Sequence, residues 1–369
     1  MALGTINLGD LQGAIARAGA GWQAGATSVS QLSDDQKILR LGAVPPAGTA
    51  SLEEREQQAA AKAQAGAGIG AGIGAVGAPA SFDWRNSGGQ NYITPIEDQG
   101  GCGSCVAFGT IAAIEGTARV YRGNANLAVD LSEAQLFYCY ARSQGYGCST
   151  GWWPNNAFDF AKNSGLVDAA CFPYTAGDQA CNLCGDWQSR LTLISGWHTV
   201  NQIADMKAWV SSRGPVSTCF TVYNDFFYYA GGVYRHVTGA LAGGHCVSVI
   251  GYDDANGCWI CKNSWGTGWG EGGFFRIAYG NCGIDAEMWL AEGIADTGWI
   301  RGAHIAGLWT IDQDRNAWVY VAAVGWRKLS PDNDNILLDM LSQLAAAKAS
   351  KRTVDFYQEQ GVIKQIYVY

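Results

Sequence analysis

Positive charge is scarce in this chain: 24 lysines and arginines stand against 32 aspartates and glutamates, a net charge of −8. Nucleic-acid binding rests on cationic contacts to phosphate, so no nucleic-acid partner is expected. No apolar run reaches the roughly 18 residues a membrane-spanning helix needs, so no span is expected either. The amino terminus is not patterned as a signal peptide. Met1 to Gly21 has no basic leading segment, and Asn7, Asp10, Gln12 and Arg17 break its apolar residues. Histidine is rare. His198, His236, His245 and His304 are the only four, which leaves few bases able to work near neutral pH.

Cysteine is present but unevenly spread. All twelve lie between Cys102 and Cys282, with none in residues 1–78 or 300–369. That number fits an oxidising compartment better than a reducing cytosol, so the protein is expected to be exported or at the cell surface, leaving by a route other than a signal peptide. Fifty glycines and 15% charged residues point to many turns, and 15 Trp, 16 Tyr and 12 Phe supply a large core. Length alone suggests about two domains.

Residues 1–78 contain one clear helix start, Ser51-Leu-Glu-Glu54, with Ser51 as cap and Glu54 as its reciprocal partner. They lead into a Gly/Ala tract from Ala63 to Ala80, read as a flexible, cleavable linker. Within it, Gly72-Ile-Gly-Ala-Val-Gly77 matches a dinucleotide fingerprint. No strand pattern precedes it and Pro79 follows, so that reading is set aside. Residues 79–292 show helical patterns first (Val106 to Val120, Ser132 to Tyr140). Strand patterns follow at Val216 to Val222, Cys246 to Tyr252, Trp259 to Lys262 and Gly273 to Ala278. Helices before strands predict an α+β architecture in two lobes, one helical and one β-barrel-like. Residues 300–369 read as three strands (His304 to Ile311, Ala317 to Val324, and near Trp326). A helix follows from Asn333 to Ser350, with Ile336, Leu337, Met340, Leu341 and Leu344 apolar. Two strands around Glu359-Gln-Gly361 close the chain. This is the element order of a small β-rich, OB-like barrel.

Chemistry concentrates at Gln99-Gly-Gly-Cys-Gly-Ser-Cys-Val-Ala-Phe108. A thiol at the first turn of a helix is acidified by the positive helix end, and a nearby imidazolium acidifies it further. Cys105 has that place. Its own N–H and the amide of Gln99 would make two donors for an oxyanion. His245 opens the strand pattern Cys246 to Tyr252, with Gly243 and Gly244 before it. Asn263 ends the next strand pattern, in Cys261-Lys-Asn-Ser-Trp-Gly-Thr-Gly-Trp269. An Asn carbonyl on the imidazole would fix its tautomer, and Trp265 would shield the bond while lining the cleft. Nucleophile, base and orienter are thus all present. His198, His236 and His304 lack such surroundings and are read as structural or exposed.

These blocks resemble the papain and cathepsin family of cysteine peptidases. Ser81-Phe-Asp-Trp-Arg85 resembles the start of mature members. Leu131-Ser-Glu-Ala-Gln135, Gly147-Cys148, Phe172-Pro-Tyr174, Gly214-Pro-Val-Ser217 and Tyr279-Gly-Asn-Cys-Gly283 fall in family order. His245 lies 140 residues after Cys105, inside the family's spacing of roughly 130–150. The resemblance implies a papain-like fold and the roles argued above for Gln99, Cys105, His245 and Asn263. It also implies that Gly151 pairs with substrate backbone and that Gly244 lies where substrate selection is influenced. Cys219 is placed with these substrate-binding residues; it and Cys246 are also candidates for buried free thiols. Disulfides Cys102–Cys148 and Cys139–Cys181 are implied, and Cys171–Cys184 is then a local guess. Val106 departs from the family's tryptophan after the nucleophile.

The pairs Cys181/Cys184 and Cys258/Cys261 have zinc-ligand spacing, but Cys181 lies where the resemblance places a disulfide partner, so no metal and no cofactor is expected. The implied function is a cysteine endopeptidase acting on peptides or proteins, made as a zymogen whose residues 1–78 are an inhibitory pro-segment. A stretch such as Leu41-Gly-Ala-Val-Pro-Pro46 would lie along the site. The C-terminal module would bind a partner or polysaccharide. A peptide ligase or transpeptidase shares the same intermediate, and a binding protein on this scaffold is the alternative of another class.

Overall fold

The structure, a computed structural model, describes residues 3–67, 78–295, 298–322, 325–359 and 361–369. The fingerprint at Gly72–Gly77 lies outside the described residues. Among those described, no helix is long and apolar enough to cross a membrane.

Two lobes meet along a cleft, as an α+β reading requires. One is built on the helix Cys105–Tyr121, the wide helical turns Gln135–Ala141 and the helix Pro154–Asn163. Its core holds Ile111, Ile114, Phe137, Trp152 and Phe158. Three disulfides staple it: Cys102–Cys148, Cys139–Cys181 and Cys171–Cys184. Cys181 and Cys184 are thereby spent, and no cluster fit for a metal ion occurs among the described residues.

The other lobe is a sheet. Its strand order is Trp197–Val200, Met288–Ala291, Val216–Tyr223, Leu241–Asp253, Cys258–Lys262, Phe274–Ala278 and Val233–Tyr234, with Ser81–Asp83 added on Leu241–Asp253. Strand Val216–Tyr223 is buried at all but its last residue. Its polar Ser217, Thr218 and Thr221 are buried along with its apolar residues.

Residues 3–67 pack onto both lobes. Trp22 is buried, bonds Arg235 O through its indole N–H at 2.9 Å and meets the ring of Tyr234 at 5.1 Å. Gln23–Ala24 pairs with Tyr229–Gly231. The helix Leu52–Ala67 starts at the expected capping box: Ser51 N–H donates to Glu54 Oε2 at 2.8 Å, and Glu54 N–H donates to Ser51 Oγ at 3.2 Å. This helix runs through Ala63 to Ala67, where a flexible linker is expected from the sequence. Alanine is the best helix former and the cap nucleates the turn, so the helix outruns its apolar pattern. It rests on Asn281–Gly283, where Gly280 and Gly283 leave room for Ala63 and Glu56.

The C-terminal strands Gly298–Thr310, Ala317–Val321, Gly325–Leu329, Thr353–Glu359 and Val362–Val368 form a closed barrel in the order first, second, third, fifth, fourth. Its first strand starts slightly ahead of residue 300. The helix Asp334–Ser350 follows the third strand, capped by Asn333, and buries Leu337, Met340, Leu344 and Ala347 in the barrel core. Ile336, read as part of the apolar face, is exposed, because the 3.6-residue period places it off the 337/340/344 stripe.

Candidate active site

Cys105 is the first residue of its helix, and Ser104 makes no capping bond with its side chain. The Ser104 hydroxyl instead pairs with Tyr174 Oη at 2.8 Å. The positive helix end is therefore left to the thiol. Inside the helix, a Cβ on Gly109 would lie 2.9 Å from Cys246 Sγ and 3.0 Å from Val247 N. Glycine costs a helix about 1 kcal/mol against alanine, but here it lets the helix close on the strand bearing His245. Sequence reading passed over Gly109, although a glycine within an apolar helical pattern signals such contact.

His245 does not open its strand. The strand runs Leu241–Asp253 and pairs upstream through Thr221↔Gly244 and Val222↔Gly243. Glycines are poor strand formers, so the pattern suggested a later start. The imidazole is wholly buried, with Nε2 2.7 Å from Asn263 Oδ1. A carbonyl oxygen only accepts, so Nε2 carries the proton. The other nitrogen, Nδ1, is buried with no hydrogen-bond partner among the described residues. Asn263 is held in turn: its Oδ1 accepts Ser264 N–H at 2.8 Å. Its neighbour Lys262 donates to Thr94 Oγ1 at 2.8 Å within a buried group that includes Glu115. Trp265, expected to line the cleft, is buried with its ring 4.7 Å from that of His245. It packs against the His245 ring.

Gln99 is buried. Its side-chain amide donates to Cys102 O at 2.8 Å and to Arg40 O at 3.1 Å, while its Oε1 accepts Ser264 Oγ at 2.7 Å. The contact with Arg40 introduces residues that sequence reading missed or only sketched. Residues 40–44 run extended between the lobes. Gly42 and Ala43 both donate to Gly244 O at 3.0 Å, Trp152 N–H donates to Gly42 O at 2.7 Å, and Val44 N–H donates to Trp152 O at 3.0 Å. Trp152, the neighbour of Gly151, thus pairs with this segment through its backbone. Gly151 supplies clearance, since a Cβ on it would lie 2.3 Å from Gly42 O.

Burial also sets the electrostatics of the site. Burial lowers the His245 pKa to about 4 from an ordinary 6.5; the bond to Asn263 works against this and the charge of Arg40 adds to it. Burial likewise raises the Cys105 thiol well above its ordinary range, with Cys246 adding to it. Arg40 is itself paired with Asp98 at 2.6 Å. Two further free thiols lie close by: Cys219 and Cys246 face each other in register on adjacent strands, and both are buried. The Arg55 guanidinium lies 4.7 Å from the ring centroid of Trp153 and bonds Glu287 at 3.0 Å.

Residues 78–291 match the family model described as papain family cysteine protease. The chain is 37% identical over 228 residues to cathepsin B-like CP3 of Giardia intestinalis, covering 58% of this chain and 74% of that protein. It is 38% identical over 214 residues to the cathepsin L-like proteinase of Fasciola hepatica, covering 56% and 63% respectively. Among solved structures, procathepsin B S9 from Trypanosoma congolense aligns with a TM-score of 0.61 at 25% identity, over 78% of this chain and 98% of that one. The recombinant stem bromelain precursor aligns with a TM-score of 0.58 at 28% identity, over 78% and 88%. With the family model spanning more than half of its length, the chain belongs to the papain family of cysteine proteases.

Proposed function

We propose that residues 79–292 form a cysteine endopeptidase domain in which Cys105, His245, Asn263 and Gln99 carry the chemistry. The observation that carries this reading is the His245 imidazole: its Nε2 is tied to Asn263 and its Nδ1 is left buried and unpartnered among the described residues. Nδ1 takes the Cys105 proton, and the thiolate attacks the peptide carbonyl. The resulting oxyanion rests on the Cys105 N–H and the Gln99 amide. His245 returns its proton to the leaving amine as the C–N bond breaks. Water, deprotonated by His245, then cleaves the thioester and releases the acid.

Residues 1–78 act as the pro-segment. The likeness to procathepsin B S9 extends over 78% of this chain, beyond the 58% matched by the Giardia relative, which supports that role. In the covered state Arg40 O takes a Gln99 proton that a substrate oxyanion would need, and burial opposes the thiolate–imidazolium pair. Three disulfides in one lobe suit export to an oxidising compartment. The test is alkylation of Cys105 by iodoacetamide at pH 7, with the site of modification read by mass spectrometry. The full chain should react at least 100-fold more slowly than a chain cut near Ala80. Equal rates would remove both the covering role and the activated thiol.

The contacts of Arg55 with Trp153 and Glu287 support a preference for a basic side chain near the scissile bond. Trp153 stacks under the guanidinium and Glu287 neutralises it, a pairing worth more than a neutral contact. Glu287→Gln should lower kcat/KM about 10–100-fold for the best arginine-containing peptides, the worth of a charged hydrogen bond, and spare leucine-containing ones. A uniform loss across both sets would place Glu287 in the fold and not in selection.

A further inference from the structure

The C-terminal barrel carries an aromatic face with no role in the chemistry above. Along Ala317–Val321, Ala317, Val319 and Val321 are buried, so Trp318 and Tyr320 turn outward. Trp318 is in register with Trp309 on one side and Lys328 on the other, and Tyr320 with Gly307 and Trp326. Trp309, Tyr320 and Trp326 are 44%, 39% and 48% exposed, unusually high for side chains of this size on one face. Trp326 is held by an edge contact to Tyr320, with centroids 5.4 Å apart and planes at 72°. It extends over Gly307, where a Cβ would lie 3.4 Å from its Cη2. The rings are thus fixed on a floor kept low by glycine.

One rim of this face is polar and uncharged. Trp318 Nε1 donates to Asn316 Oδ1 at 2.7 Å, and Asn316 Nδ2 donates to Gln313 Oε1 at 2.7 Å, with Gln313 exposed. Cations are few among the described residues here. Arg315 is engaged by Asp334 at 2.6 Å. Arg327 is buried and bonded to Gln358. Lys328 therefore stands as the cation of the face, with Asp312 and Asp314 in the neighbouring loop.

We propose that this face binds a neutral glycan. The C–H faces of pyranose rings suit the electron-rich faces of fixed aromatic rings, and the amides of Gln313 and Asn316 suit sugar hydroxyls. A nucleic-acid strand also stacks on aromatics but needs a cationic groove along its backbone, which this face lacks. An anionic glycan would meet Asp312 and Asp314.

The test uses the full chain as Cys105→Ala, screened on an array of neutral and anionic glycans. Tryptophan-fluorescence titration then follows, with a retained neutral oligosaccharide and with oligo(dT). Expected is retention of a neutral oligosaccharide, weakened at least 10-fold by Trp326→Ala or Trp309→Ala with an unchanged circular-dichroism spectrum. Trp299→Ala should bind normally, because that ring lies against Tyr357 and Tyr367 on the other strand pair. Retention of no neutral glycan would overturn the proposal. So would binding that is indifferent to both substitutions, or a face that binds oligo(dT) or a second copy of the chain in sedimentation instead.

Discussion

Cys105→Ser is expected to lower peptide hydrolysis by more than about 10³-fold while leaving the fold unchanged. Removing a nucleophile from a cooperating set costs nearly the whole catalytic gain. A serine hydroxyl is far less acidic than a thiol, so His245 has no comparably ionisable partner. The substitution is also conservative in volume, and Cys105 takes no part in a disulfide, so the packing of its helix should survive. The measurement is turnover of a fluorogenic peptide by the chain cut near Ala80, beside thermal unfolding of the same variant. Retention of a tenth of the activity would mean that another group, with Cys246 the nearest thiol to consider, attacks the substrate.

Gly42→Ala should free the cleft. A Cβ at Gly42 would lie 1.9 Å from Gly103 O and 2.4 Å from Gly103 C, closer than atoms can approach. Gly103 has little room to yield. A Cβ on it would itself meet Cys148 O at 2.6 Å and Leu41 O at 3.0 Å, and its neighbour Cys102 is bonded to Cys148. The covering strand must therefore lift, losing its bonds to Gly244 and Trp152. Each is worth about 1 kcal/mol net, and lost packing adds to that. An isolated leader peptide bearing the change should inhibit the shortened enzyme about 10²-fold less tightly than the unaltered peptide. Equal inhibition by the Gly42→Ala peptide would show that residues 40–44 do not hold the leader in place.

Acid should act in the same direction as that substitution. With His245 held near 4 in the covered state against an ordinary 6.5, the uncovered or unfolded imidazole binds the proton that the covered one refuses. The stabilisation is complete above about pH 6.5 and is lost as pH falls towards 4. Leader affinity, titrated across that window with Cys105→Ala protein, should fall as pH drops. A flat profile would show that His245 is no more shielded with the leader bound than without it.

The family and the residues proposed to react are legible in the chain before it folds. Cys105 could be picked from twelve cysteines because a glycine-rich turn leads it into an apolar helix. His245 could be picked from four histidines because glycines and a strand pattern surround it. These are local signals, fixed by neighbours in the chain; the disulfides Cys102–Cys148 and Cys139–Cys181 followed from the resemblance those signals opened, and Cys171–Cys184 from a local guess. What meets across long separations is settled by folding alone. That His245 lies inside a strand depends on pairing with Val216–Tyr223, which can hold glycines in a strand that their own propensity disfavours. That Gly109 sets the approach of two elements, that Gly42 passes over Gly103, and that Arg55 reaches Glu287 are facts of packing between residues up to 232 positions apart. No local pattern encodes such contacts, because their energy appears only when the chain has closed on itself.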